Sequence, residues 1–173
     1  MKKTIRKIWN VITNLLVIFV VFFAILTIGV RLVGLEPYVV LSGSMEPVFQ
    51  TGSVIYVKDI DAEELQEGDI ITFRLNEDTV ATHRIIEVLE ETGETAFRTK
   101  GDANDVADGS AVYASQVIGT PIFTIPYLGY LMSYIQTTSG RYAVITACAV
   151  LVLLMILPDM IFGKEKKDPE DAK

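Results

Sequence analysis

Three short segments carry the side chains able to do chemistry: SGSMEP (42–47), ATHR (81–84) and TKGDANDVAD (99–108). In the first, Gly43 permits unusual backbone angles and Pro47 restricts Glu46 and stops a helix from continuing. A turn of that kind can project a serine hydroxyl beside exposed backbone N–H groups, the arrangement a nucleophile and its oxyanion hole require. An ordinary Ser/Gly turn is the plainer reading. In the second, alternation puts Val80, Thr82 and Arg84 on one strand face and Ala81, His83 and Ile85 on the other, so His83 points where its apolar neighbours point. It is either a hydrogen-bonded structural histidine or a partly desolvated imidazole suited to general-base work near neutrality. The third segment holds three carboxylates. They can act as calcium ligands, although an EF-hand is excluded by the missing central Gly and terminal Glu. Alternatively, one of them accepts from the imidazole Nδ1–H and fixes its tautomer.

Composition narrows the chemistry further. The 173 residues are 50% hydrophobic and 21% charged, with a formal charge of −7. Mean hydropathy is +0.39 and the isoelectric point is near 4.7. Collagen-like, low-complexity and disordered classes do not fit 12 Gly and 6 Pro among abundant Val and Ile. An acidic surface does not neutralise phosphates, so no nucleic-acid partner is expected. One cysteine, Cys148, excludes an internal disulfide and CxxC chemistry, and one histidine excludes a multi-histidine metal centre. No metal or organic cofactor is called for. The chemistry left runs on Ser, Asp, Lys and a single imidazole.

The elements that must position these groups are a β-rich middle and two apolar ends. Residues 8–30 (IWNVITNLLVIFVVFFAILTIGV) run for 23 residues without a charge, about 34 Å of helix against a hydrocarbon core of about 30 Å. Residues 142–157 (YAVITACAVLVLLMIL) form a shorter apolar run, interrupted by Pro158 and Asp159 and continued by Met160, Ile161 and Phe162. Lys2, Lys3, Arg6 and Lys7 precede the first run, and Lys164, Lys166 and Lys167 follow the second. From Arg31 through Arg141 there are 7 Lys/Arg against 17 Asp/Glu, a local net of −10. The positive-inside rule therefore predicts both termini in the cytoplasm and the acidic middle outside. The first run exceeds a signal-peptide h-region and no small-x-small site follows it, so an uncleaved anchor is expected.

Between the anchors, short runs rich in β-branched and aromatic residues predict strands near 38–41, 53–58, 69–75, 79–89, 95–99 and 117–125, with at most one helical turn at 61–66. Turn residues punctuate them at Gly52, 67–69, 76–78, 92–93 and 101–109. The expected layout is a basic N-terminus (1–7), a transmembrane helix (8–30), an extracytoplasmic β-rich domain (31–141), a second transmembrane helix (142–162) and a cytoplasmic tail (163–173).

At these boxes the sequence resembles the type I signal peptidases, in the endoplasmic-reticulum, archaeal and SipW-like branch that uses histidine in place of a lysine base. The resemblance runs in order through VVLSGSMEPVFQTGSVIYVK (39–58), EGDIITF (67–73), THRI (82–85), TKGDANDVAD (99–108) and VIGTPIFTIPYLGY (117–130). It implies a mainly β, signal-peptidase-like catalytic domain flanked by N- and C-terminal transmembrane helices. It also implies a serine endopeptidase that removes signal peptides from exported preproteins after small residues at −1 and −3. The plasma membrane is the implied location, with the bilayer and signal-peptide-bearing preproteins as partners. Carried over residue by residue, Ser44 is the nucleophile, His83 the general base and Asp108 its carboxylate partner. Asp102 is a supporting residue, and Ser42 stands where a hydroxyl lines the oxyanion hole. Asp102 or Asp105 in place of Asp108, and Lys100 as a lysine-type base, stay open at this point. So does a non-catalytic surface or assembly module, or a serine protease with another substrate. A sortase-like transpeptidase is excluded, because Cys148 lies inside the second apolar run. The strand at 38–41 is the expected edge for pairing with an extended substrate.

Overall fold

The computed structural model describes residues 2–77, 79–91 and 93–162. The expected tail at 163–173, with Lys164, Lys166 and Lys167, and the turn positions Asp78 and Thr92 lie outside the described residues. The chain divides into two compact units, one of residues 27–134 and one that combines residues 1–26 with 135–173.

The second of these holds two long apolar helices, α1 (Lys2–Thr27) and α3 (Thr138–Phe162). Spans of 24 residues (Thr4–Thr27) and 20 residues (Thr138–Leu157) are long and apolar enough to cross a membrane. Inside α3, Pro158 has no N–H to offer the Leu154 carbonyl four residues back. The Trp9 indole of α1 fills that vacancy, with its Nε1–H donating to Leu154 O at 2.8 Å. Thr13, one turn further along α1, returns its hydroxyl to the Trp9 carbonyl at 3.0 Å. The helix ends three residues before the apolar run does. The chain tightens into a 3-10 turn at Gly29–Val33, and Val30 is buried against the sheet unit's own core.

The sheet unit is a seven-stranded antiparallel sheet. Its strands are β1 (Leu35–Val39), β2 (Val54–Lys58), β3 (Ile70–Arg74), β4 (Val80–Glu91), β5 (Glu94–Lys100), β6 (Val112–Tyr113) and β7 (Val117–Ile125). Their order is β1-β2-β7-β3-β4-β5-β6. β7 pairs with β3 through Val117 and Gly119 and with β2 through residues 120–125. The transfer is possible because a Cβ at Gly119 would lie 2.0 Å from the Lys58 carbonyl oxygen, at a φ of 152°. A short helix α2 (Leu128–Gln136) follows β7. Its Gly129 lies against the backbone of Gly52 and Ser53, where any side chain would clash.

β2 is covered on both faces. Ile55 and Val57 join Met45, Phe49, Ile70 and Ile118 on one side, while Val54 and Tyr56 join Val30, Ile125, Leu128 and Met132 on the other. A third cluster of Leu65, Ile71, Phe73, Ile85, Phe97 and Val112 lies over β3, β4 and β5. Each fully buried side chain of this kind contributes about 1.5–3 kcal/mol by leaving water. The strands expected from the β-branched and aromatic runs are all present, and the turn at 61–66 is a single 3-10 turn, Ala62–Glu64. β6 and α2 were not expected. The edge strand expected at 38–41 is β1, which begins at Leu35 and ends at Val39, and β6 forms the opposite edge. Leu41 is 80% exposed beyond β1.

Candidate active site

Ser44 lies in the turn between β1 and β2. Two backbone bonds shape the turn, Glu46 N to Gly43 O at 3.0 Å and Phe49 N to Met45 O at 3.0 Å. The residue after the serine fixes its direction, because Met45 is only 2% exposed and sits in the core with Phe49, Ile55 and Val57. With Met45 committed inward, its neighbour Ser44 is presented on the other side of the turn.

His83 stands in β4 directly opposite Ile71 of β3. As alternation requires, it shares a face with Ala81 and Ile85, and Phe73 meets its ring edge-on at a centroid distance of 6.2 Å. Its side chain is 14% exposed. One ring nitrogen, Nε2, is 3.2 Å from Ser44 Oγ, and the other, Nδ1, is 2.6 Å from Asp108 Oδ2. An ionised carboxylate can only accept, so Nδ1–H donates to Asp108 and Nε2 is left to accept from the Ser44 hydroxyl. Ser42 Oγ is 3.4 Å from Ser44 Oγ. Asp108 is held in turn by Thr99, whose hydroxyl donates to the same Oδ2 at 2.6 Å. Three segments far apart in sequence thus meet in one chain of hydrogen bonds.

The loop after β5 is also attached to the serine turn. Ala103 N donates to Ser44 O at 2.9 Å, and Asp102 N approaches Met45 Sδ at 3.5 Å. Gly101 makes this approach possible, since a Cβ there would lie 2.6 Å from Ser44 O. Asp102 itself does not touch the imidazole. Its two oxygens accept from Arg84 Nε at 2.8 Å and Nη2 at 2.7 Å, and Arg84 Nη1 donates to the Gly68 carbonyl at 2.7 Å. The Arg84 hydrogen bonds, more than its charge alone, hold the Asp102 carboxyl below its ordinary value of 3.8 in spite of burial. The same bonds raise the Arg84 guanidinium.

Of the residues singled out from sequence, Ser44, Ser42, His83 and Asp108 converge, and Asp102 supports the serine turn from one side. Asp105 is exposed. Lys100 pairs in register with Arg84, on the β4–β5 face opposite His83, which removes it from the serine. Two residues of the site had no assigned task, Arg84 and Thr99. Alternation already separated Arg84 from His83, but only the β4–β5 register, with its irregularity between Ile85 and Glu87, sets Thr99 on the imidazole's face. Among the described residues, no group of three or more His, Cys, Asp or Glu side chains is placed to hold a metal ion.

Residues 12–125 match the family described as signal peptidase, peptidase S26. Over 115 residues the chain is 41% identical to signal peptidase I W of Bacillus subtilis (strain 168), covering 62% of this chain and 60% of that protein. It is 32% identical over 126 residues to the signal peptidase complex catalytic subunit SEC11C of Rattus norvegicus, covering 67% of this chain and 66% of the relative. The chain therefore spans between 60% and 66% of the length of these relatives, less than two thirds of either. The matched stretch takes in Ser44, His83 and Asp108 and every strand of the sheet, and the chain belongs to the peptidase S26 signal peptidase family.

Proposed function

We propose that this protein is a membrane-anchored serine endopeptidase that cuts signal peptides from exported preproteins after small residues at −1 and −3. Ser44 is its nucleophile, His83 its general base and Asp108 the orienting carboxylate. The observation that carries the proposal is the continuous contact from Ser44 Oγ through His83 Nε2 (3.2 Å) and Nδ1 to Asp108 Oδ2 (2.6 Å). Attack of Ser44 Oγ on the scissile carbonyl passes its proton to Nε2, and Asp108 stabilises the imidazolium that results. The tetrahedral oxyanion is met by the Ser44 N–H and the Ser42 hydroxyl. His83 then gives the proton to the leaving amine, and the peptide C–N bond breaks. Water, deprotonated by the same imidazole, releases the acyl group and restores Ser44.

The substrate enters extended and pairs with the outer edge of β1, which is hydrogen-bonded only to β2 within the sheet. Asp102 acts at one remove, through Arg84 and the serine turn. In the same reading α1 and α3 both span the plasma membrane, with the termini cytoplasmic and residues between them outside. Support comes from the two span lengths, from the basic residues flanking the apolar runs, and from the Trp9–Leu154 bond joining the start of α1 to the later part of α3. Complexes with accessory subunits, such as the one the rat relative's name records, are compatible with this arrangement.

Co-expression of the full chain with a preprotein, followed by N-terminal sequencing of the mature product, tests the proposal. Ser44→Ala should abolish processing while membrane insertion persists. Continued cleavage would remove Ser44 from the mechanism. A wild-type chain that inserts but cleaves none of a panel of preproteins would favour a non-catalytic surface module.

A further inference from the structure

Asp108 sits on an irregular loop, beyond the end of β5. Two hydrogen bonds tie it back to β5. Thr99 lies opposite Ile85 in the β4–β5 register, on the same sheet face as His83, and it is 0% exposed. It grips Asp108 twice. The Thr99 carbonyl accepts from the Asp108 N–H at 2.9 Å, and the Thr99 hydroxyl donates to Asp108 Oδ2 at 2.6 Å. The oxygen so gripped is the one that accepts from His83 Nδ1. One bond fixes the backbone of the aspartate and the other fixes the rotation of its carboxyl group, both from a single residue of a paired strand.

We propose that Thr99 is the positioning residue that locks the Asp108 carboxylate against His83, and so holds the imidazole in the tautomer whose Nε2 is open to Ser44. The inference rests on the catalytic reading of Ser44 and His83. A purely structural threonine would need only the packing of its branched side chain, and valine supplies that with nearly the same shape and is likewise enriched in strands. The hydroxyl is the difference. Without it, Oδ2 loses one of two fixed donors and the carboxylate is free to turn about its side-chain bonds.

The test uses the full-length protein in detergent micelles with a preprotein-derived peptide, in wild type, Thr99→Val and Thr99→Ser. The Nδ1–H proton and ring ¹⁵N signals are read by NMR, where His83 is the only histidine and needs no assignment. Thr99→Val should lower kcat about tenfold, a part of the 10²–10⁴ that a general base provides. KM should stay within about twofold, since substrate contacts are untouched. The strongly downfield Nδ1–H signal should broaden, and the ring ¹⁵N shifts should move toward a mixture of tautomers. Thr99→Ser, which keeps the hydroxyl, should restore both kcat and the signal.

A folded Thr99→Val protein with wild-type kcat and unchanged His83 signals would overturn the proposal. So would a folded Thr99→Ser protein that has lost activity, whatever the valine variant does. The NMR readout needs no turnover, so it judges Thr99 separately from the catalytic reading, which fails instead if Ser44→Ala still cleaves.

Discussion

A serine hydroxyl is a poor nucleophile until a base sits on its proton, and a neutral imidazole is a base at only one nitrogen at a time. Here the choice of nitrogen is made by Asp108, at 2.6 Å from Nδ1. In the proposed mechanism His83→Ala should therefore cost at least about 10²-fold in kcat, the scale of a lost general base. Asp108→Asn should cost far more than Asp105→Asn, because an amide can present its N–H₂ to Nδ1 and select the wrong tautomer. Cleavage assays on the three variants check the order. Asp102 behaves differently, since its partner is Arg84. Asp102→Asn should lower stability by about 1–3 kcal/mol, the scale of a lost charge-assisted bond, with a smaller effect on turnover than Asp108→Asn. The carboxyl is held below its ordinary 3.8, so its contribution is fully present above that pH. It is lost as pH falls through the lower value, and the denaturation gap between wild type and Asp102→Asn should close only in that acid range. At this scale the sequence singled out the residues that converge and, by alternation, the face of His83. It did not disclose which carboxylate goes to which cation, because that depends on where the 101–109 loop leaves β5 and on the shifted β4–β5 register.

The serine turn and the carboxylate loop are separate elements that must move as one. They are joined by the Ala103 N to Ser44 O bond and by Met45, which fills a core pocket while receiving Asp102 N at its sulfur. Met45→Ala should destabilise the protein by about 2–5 kcal/mol through the cavity it leaves. Denaturation of the purified variant measures this, and its remaining folded fraction should turn over slowly because Ser44 loses its inward anchor. Gly101→Ala should act on the same joint from the other side. A methyl placed 2.6 Å from Ser44 O and 2.7 Å from Asn104 Nδ2 must push the two loops apart. A fall in kcat larger than the fall in thermal stability would be its mark. Strands are the part of the architecture that sequence patterning disclosed best, since runs such as those of β3 and β5 are rich in β-branched and aromatic residues. β6 escaped because two residues carry no period, and α2 because nine residues with a glycine inside them give only a weak helical signal. The early end of α1 escaped too, since Ile28 and Val30 look like more of the same grease until Val30 is seen in the sheet unit's core.

On the scale of the whole chain, apolar length and charge asymmetry were visible from the start, and they carry the two-span reading of α1 and α3. That reading makes Cys148, the only cysteine, a lipid-facing group of the second span. In sealed vesicles it should resist a charged, membrane-impermeant maleimide and react only after detergent or denaturant is added. Ready labelling in intact vesicles would remove α3 from the bilayer. Tags at the two ends should share one fate in protease protection, both shielded or both cut. The bond between α1 and α3 was not legible, since nothing in a pattern of hydropathy says that an indole will answer a proline on another helix. It has a practical consequence. Trp9 is the sole tryptophan, so light absorbed near 295 nm is taken up almost entirely by the one ring that donates to Leu154. The emission colour and lifetime of the purified, unlabelled protein are then a gauge of whether its two hydrophobic helices are clasped, blind to the sheet unit.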